Sequence, residues 1–317
     1  MKCRASSKEL SASYETGRMN MASIGFIGIG LMGHGMAKNL IEKGHRLTVV
    51  ANRSRERVDD LVARGATEVD TPREVAAASE IIFTCVPTSN DVEGIVYGED
   101  GIMSGAREGL IHVDTSTANP ISTIKIATDY QARGFRFADA PLTRTPKEAE
   151  EGRLNVIVGA SPALFEEILP VLKCFAENVF HVGGVGGGHK IKLINNFIAM
   201  SHASVVAEAV AVARATGVNP KALYDLVSAG GANSAMFQMI MPYVLEGDPS
   251  RLQFAIGNAR KDLAYFIAMV NDAKATGLIG PAVLQTLTIA SAMGNSGKHM
   301  AHLTDVLTQL NGSKNLG

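Results

Sequence analysis

Two groups of residues in this 317-residue chain have the types and spacing to do chemistry. Lys192 and Asn196 stand four residues apart in a helical pattern, so both project from one face. They follow directly on the glycine-rich stretch Gly183-Gly184-Val185-Gly186-Gly187-Gly188, which reads as a hinge. Ala199, Met200 and Ala203 continue the same face with apolar side chains. An ammonium among them is partly desolvated, which draws its pKa down toward the range of a general acid. Lys192 therefore reads as a proton donor, whereas Lys190, nearly on the opposite side, reads as a solvated lysine. The bland alternative is that Lys192 snorkels from a helix end.

The second group is Gly28-Ile29-Gly30-Leu31-Met32-Gly33, a G-x-G-x-x-G run between an apolar strand pattern and a helical one that stops at Gly44. The first glycine permits the tight turn, the second lets backbone approach a pyrophosphate, and the third lets helix and strand pack closely. A dinucleotide is the ligand this arrangement calls for, with its phosphates at the helix N-terminus. A ribose-binding acid normally ends the second strand about 20 residues on. Here that strand ends in Val50-Ala51-Asn52-Arg53-Ser54-Arg55, with no acid. Arg53 can pair with a 2′-phosphate while Asn52 and Ser54 donate hydrogen bonds, so NADP(H) is preferred and NAD(H) is the alternative. Arg53 and Arg55 as plain solvated charges are the competing reading.

These groups need a scaffold, and the sequence describes one. Short apolar runs at Ile24–Ile27, Leu47–Val50, Ile81–Val86, Leu110–Val113 and Phe135–Ala138 alternate with helical patterns. That alternation is the mark of βαβ units and a mostly parallel, doubly wound sheet. Leu154–Val158 and Val179–Val182 flank a further helical pattern and are read as extending that sheet. After the glycine cluster, strand signals disappear. Ile191 to Thr216 is apolar on almost every side, which marks a buried helix. The organisation is therefore a disordered extension at 1–20, an α/β Rossmann domain at 21–184, and an all-α domain at 185–317 that begins with a long interdomain helix.

Composition narrows the partners. With 30 basic and 31 acidic residues the net charge is −1, without the excess that phosphate-backbone binding requires, so no nucleic acid is expected. The three cysteines lack metal-ligand spacing, so no metal site is expected, and they suit a reducing cytoplasm. No run of 18 uninterrupted apolar residues occurs, so no membrane span is expected.

The ordered motifs resemble those of the β-hydroxyacid dehydrogenase family, from Ile24 to about Leu310. Gly25 to Gly33 with Met36-Ala37-Lys38-Asn39-Leu40 is similar to its N-terminal signature, Asp139-Ala140-Pro141-Leu142 to the start of its substrate loop, Gly188 to Asn196 to its G-x-x-x-K-x-x-x-N motif, and Lys261-Asp262-Leu263 to its K-D-L. The resemblance implies that Lys192 is the catalytic lysine and Asn196 the substrate-orienting residue, with Asn195 beside it. It also implies that Val86, Pro87, Thr117 and Lys261 contact the cofactor. Ser116, Thr143, Arg144 and Thr145 would then grip the substrate's anionic end. Where the family loop commonly continues Ser-Gly-Gly, this chain has Thr143-Arg144-Thr145, closer to a Gly-Arg-Thr variant in which the arginine holds a sulfonate. Read without the family, Ser116 and Thr117 lie just past a strand's carboxyl end, or else cap the helix near Pro120. The implied activity is reversible NADPH-dependent reduction of a small β-hydroxyacid semialdehyde by a homodimer or homotetramer. A cofactor-binding pseudo-dehydrogenase and an imine reductase are the alternatives, and Lys192 disfavours both.

Overall fold

A computed structural model describes residues 21–52 and 55–312; the extension at 1–20 and the residues Arg53 and Ser54 lie outside the described residues. The first domain alternates strand and helix as its apolar runs dictate. It comprises β1 (Ser23–Ile27), α1 (Leu31–Glu42), β2 (Arg46–Val50), α2 (Arg55–Ala63), β3 (Thr67–Val69), α3 (Pro72–Ala77), β4 (Ile81–Thr84), α4 (Ser89–Tyr97), α5 (Ile102–Gly105), β5 (Ile111–Asp114), α6 (Pro120–Gln131) and β6 (Arg136–Asp139). These strands form one parallel sheet in the order β3-β2-β1-β4-β5-β6. The order reverses between β1 and β4, and the crevice at their carboxyl ends is where such sheets bind ligands. Side chains alternate between two cores: Ile24, Phe26, Leu47, Val49 and Phe83 on one face, Ile27, Val50, Ile82 and Phe137 on the other.

The last strands depart from expectation. Instead of extending the main sheet, β7 (Leu142–Thr143), β8 (Leu154–Val158) and β9 (Ala176–His181) build a separate three-stranded sheet, with α7 (Pro146–Glu150) and α8 (Pro162–Leu172) between them. The chain runs on from β6 into β7 and turns back through α7, so β7 pairs antiparallel with β8, and a single bridge between Asp139 and Gly159 continues the same register to the end of β6.

The second domain is helical: α9 (Gly187–Ala215), α10 (Pro220–Ala229), α11 (Ala235–Glu246), α12 (Ile256–Asp272), α13 (Ile279–Ala290) and α14 (Leu303–Leu310). By length and hydropathy α9 would suffice to cross a membrane. Its Leu193, Met200, Ala203, Ala207 and Val210 are instead buried in a core shared with α11, α12, α13 and α14.

Candidate active site

The nucleotide loop is built as the glycine spacing requires. Gly28 has φ +103, and a Cβ there would lie 2.3 Å from the Cys85 carbonyl oxygen. A Cβ on Gly33 would come within 2.1 Å of the Gly28 oxygen, whereas one on Gly30 would point into open space. Gly30 is also the N-cap of α1, with no side-chain cap and no acid in the first turn. Ile29 is buried, while Leu31 and Met32 begin the helix. The first-turn N–H groups are thus left for an anion beside an unobstructed Gly30, so the residues present fit a dinucleotide pyrophosphate. At the end of β2, Asn52 is exposed. Arg55 is committed elsewhere, with both guanidinium arms on Glu68 (2.6 and 2.7 Å) and its Nε on Asp59 (2.7 Å).

The loops after β4 and β5 are fixed to one another and to the helical domain. The Val86 N–H donates to Ser116 Oγ at 3.0 Å, and the Ser116 N–H donates to Asp114 Oδ1 at 3.0 Å. From α12, the Lys261 ammonium donates to the carbonyls of Pro87 (2.7 Å) and Thr117 (3.1 Å). One turn further along, the Tyr265 hydroxyl accepts the Ser89 N–H at 3.1 Å. Ser116 and Thr117 do not cap α6; Asn119 does, accepting the Ile121 N–H.

Lys192 is partly buried at the start of α9, and Lys190 is exposed, as their positions on the helix predict. Burial lowers the Lys192 pKa; the charge of Asp262 opposes that shift and that of Lys261 adds to it. Asp262, 2% exposed, is the residue sequence reasoning missed. Its Oδ2 accepts the Asn196 amide N–H at 2.7 Å. Its Oδ1 lies 3.0 Å from Lys261 Nζ without the angular geometry of a hydrogen bond. Asn196 and Asp262 are 66 positions apart, so no local spacing points to the pair. In the sequence it stands only as the acid inside Lys261-Asp262-Leu263, the motif whose lysine carries the resemblance.

Other predicted residues have other partners. Asn195 is exposed and donates only weakly to Asn196 Oδ1, at 3.3 Å. Thr143 accepts from the Asn155 amide at 3.1 Å, and Thr145 caps α7 through Glu148. Arg144 has φ +82, the left-handed conformation that favours glycine. Its guanidinium donates to the Arg153 carbonyl and pairs with Glu177 on β9, not with the nearby Glu148 or Glu150.

The glycine stretch before Lys192 divides into an open part and a packed part. Gly186 and Gly188 are buried, and a Cβ on Gly188 would meet the Ile157 carbonyl oxygen at 2.4 Å and the Asp139 carbonyl oxygen and Oδ2 at 2.9 Å. Gly188 thus serves close packing, whereas Gly183 and Gly184 are exposed and a Cβ on either would meet nothing within 4 Å.

Among the described residues no cluster of side chains could hold a metal ion. A glycine cradle for a dinucleotide, loops after β4 and β5 held by α12, and a lysine, an amide and a buried acid on α9 and α12 are together equipped for hydride and proton transfer.

Comparison with known proteins agrees. Residues 23–183 match the family described as the NAD binding domain of 6-phosphogluconate dehydrogenase. Residues 186–307 match the NAD-binding family of NADP-dependent 3-hydroxyisobutyrate dehydrogenase. The chain is 33% identical over 291 residues to 2-(hydroxymethyl)glutarate dehydrogenase of Eubacterium barkeri, covering 91% of this chain and 96% of that protein. It is 33% identical over 275 residues to 3-sulfolactaldehyde reductase of Escherichia coli, covering 86% and 92%. A solved structure of 3-hydroxyisobutyrate dehydrogenase from Salmonella typhimurium superposes with a TM-score of 0.78 at 26% identity, covering 89% of this chain and 99% of that one. The chain belongs to the β-hydroxyacid dehydrogenase family of NAD(P)-dependent oxidoreductases.

Proposed function

We propose that this oxidoreductase is an NADPH-dependent reductase, reversible as a dehydrogenase, of a small carbonyl acid whose carbonyl lies β to the acidic group. The observation that carries the reading is the partly buried Lys192 ammonium, its pKa lowered, one helical turn from an Asn196 held by Asp262. When bound, the nicotinamide nucleotide supplies the hydride. Gly28, Gly30 and the α1 N-terminus hold its phosphates, and Lys261 and Ser116 hold the loops at Val86-Pro87 and Thr117 in place beforehand. Lys192 donates a proton to the carbonyl oxygen as it becomes an alkoxide, and accepts one in the oxidative direction. Asn196, its amide nitrogen fixed by Asp262, orients the substrate oxygen.

NADP(H) over NAD(H) is favoured by Asn52-Arg53-Ser54, a run without the acid that would repel a 2′-phosphate. For the substrate's anionic end we assign Ser116, Thr143 and Arg144. Arg144 must leave Glu177 to take part, and a partly exposed pair of that kind is worth only about 0.2–1 kcal/mol. A bidentate guanidinium–anion contact exceeds that. The reading extends to a cytoplasmic homo-oligomer with no nucleic-acid or membrane partner. Exposed Ile191, Ile194, Ile198, Val205 and Val212 recur along α9 at helical spacing, and a second copy presenting the same stripe would cover them.

The test is NADPH and NADH oxidation with 3-sulfolactaldehyde, 2-hydroxy-3-oxopropionate, methylmalonate semialdehyde and a cyclic imine. Turnover of an anionic aldehyde with NADPH supports the reading. Turnover of the imine alone, or of nothing while NADPH still binds, contradicts it.

A further inference from the structure

Asp139 at the end of β6 is fully buried and lies outside the proton- and hydride-transfer groups. Its carboxylate reaches the start of α9. Oδ1 accepts the Gly186 N–H at 2.6 Å and Oδ2 accepts the His189 N–H at 2.7 Å, so two of the N–H groups that open a helix are satisfied by an acid from the Rossmann sheet. A negative charge at that end also complements the dipole of a 29-residue helix. Two glycines make the approach feasible. A Cβ on Gly159 would lie 2.4 Å from Asp139 Oδ1, and one on Gly188 would lie 2.9 Å from Oδ2. Backbone bonds lock the same point, with Asp139 N–H donating to the Gly159 carbonyl at 3.1 Å and Gly159 N–H donating back at 2.7 Å.

His189 extends this contact toward the site. It is fully buried, its Nε2–H donates to the Ser116 carbonyl at 3.1 Å, and its Nδ1 lies 2.7 Å from Thr123 Oγ1 on α6. One residue thus ties the first turn of α9 to the loop after β5. Lys192 follows three positions later, on the next turn of the same rigid helix.

We propose that Asp139 and His189 are positioning residues: together they fix the axial height and rotation of α9 against the sheet, and so set where Lys192 Nζ meets a substrate beside Ser116. This rests on Lys192 being the proton donor. Neither residue needs to touch substrate. Their effect is that the lysine and the nucleotide-binding loops, which belong to different domains, keep one relative placement, and misplacement of a reacting group by about 1 Å costs on the order of 100-fold in rate.

The experiment measures kcat per NADPH-binding site, with NADPH affinity from fluorescence titration, for wild type and for Asp139→Asn, His189→Ala, His189→Gln and Lys192→Ala. The aldehyde is whichever of those named above is turned over fastest. Asp139→Asn presents an N–H where an acceptor is required, and His189→Ala removes the donor to Ser116. Both should lower kcat per site by ~10- to 100-fold with NADPH affinity within about twofold, whereas His189→Gln restores an N–H donor and should recover most of the rate. A purely structural role would lower melting temperature and the number of binding sites while leaving kcat per site unchanged, and that result overturns the proposal. If Asp139→Asn does not fold, the comparison of His189→Ala with His189→Gln decides, and equal rates in the two refute it. Turnover surviving Lys192→Ala removes the proposed function and this inference together. Turnover lost in Lys192→Ala but kept per site in Asp139→Asn and His189→Ala overturns this inference alone.

Discussion

Replacing Asp262 by asparagine keeps the side-chain size while deleting one negative charge next to Lys192 and Lys261. The native Oδ2 accepts the Asn196 amide at 2.7 Å, and both residues are buried. Hydrogen bonds to a charged group are worth about 1.5–3 kcal/mol and neutral ones about 0.5–1.5 kcal/mol. The new amide oxygen can still accept, so the loss is the difference, about 1–1.5 kcal/mol, or ~5- to 12-fold in kcat/KM if Asn196 orients the substrate. The second effect is on proton affinity. Burial disfavours the Lys192 ammonium, and the Asp262 charge partly offsets this, so deleting that charge lowers the Lys192 pKa further. Reduction requires the ammonium and is lost as pH rises through that pKa. In Asp262→Asn the loss therefore begins at lower pH, and oxidation, which requires the free amine, sets in at lower pH too. The assay is kcat/KM for the aldehyde at saturating NADPH, followed from about pH 6 to about pH 10. An alkaline limb that stays in place or moves upward, with kcat/KM within about twofold of wild type, would refute the pairing of Asp262 with the catalytic groups.

Alanine in the nucleotide loop should separate packing from binding. Gly30→Ala adds a methyl facing open space and should leave the melting temperature unchanged while weakening NADPH binding by ~10-fold or more. Gly33→Ala drives a Cβ against the Gly28 oxygen and should also cost about 1–3 kcal/mol of stability. Equal NADPH affinity in wild type and Gly30→Ala, by titration, sinks the assignment of the cradle. Arg144→Gly relieves a positive φ and loses the Glu177 pair, two opposed effects that should leave stability within about 1 kcal/mol while KM for anionic aldehydes rises; an unchanged KM for each one turned over removes Arg144 from the substrate site. Desolvation pushes the thiol of the half-buried Cys85 up to about 11, so iodoacetamide at about pH 8 should label Cys85 far more slowly in the native than in the unfolded protein by peptide mass spectrometry, and equal labelling rates in the two contradict the raised pKa.

What the sequence revealed was local. The tight turn at Gly28 and the close approach at Gly33 are demands made within one strand–turn–helix unit, so the glycines announce the nucleotide loop and the apolar runs announce β1, β2, β4, β5 and β6. Lys192 and Asn196 were legible because a helix converts a spacing of four into a shared face. Long-range pairing was not legible. Strand β7 is two residues long and pairs antiparallel with β8 only because the chain reverses through α7, so nothing in its composition distinguishes a second sheet from an extension of the first. The Asn196–Asp262 and Arg144–Glu177 contacts join segments 66 and 33 positions apart. Glycine supplies both flexibility and close packing, and only the neighbouring Asp139 and Ile157 show that Gly188 serves packing.

Whether Lys192 carries the proton is decided by Lys192→Ala assayed for turnover and for NADPH binding on the same preparation, with Lys190→Ala as control. As the proton donor, Lys192 replaced by alanine should lower kcat by ~10²- to 10⁴-fold with NADPH affinity within about twofold of wild type, and Lys190→Ala should keep near-native rates. Turnover within a few-fold of wild type in Lys192→Ala would contradict it and return this lysine to the role of a solubilising residue at a helix end.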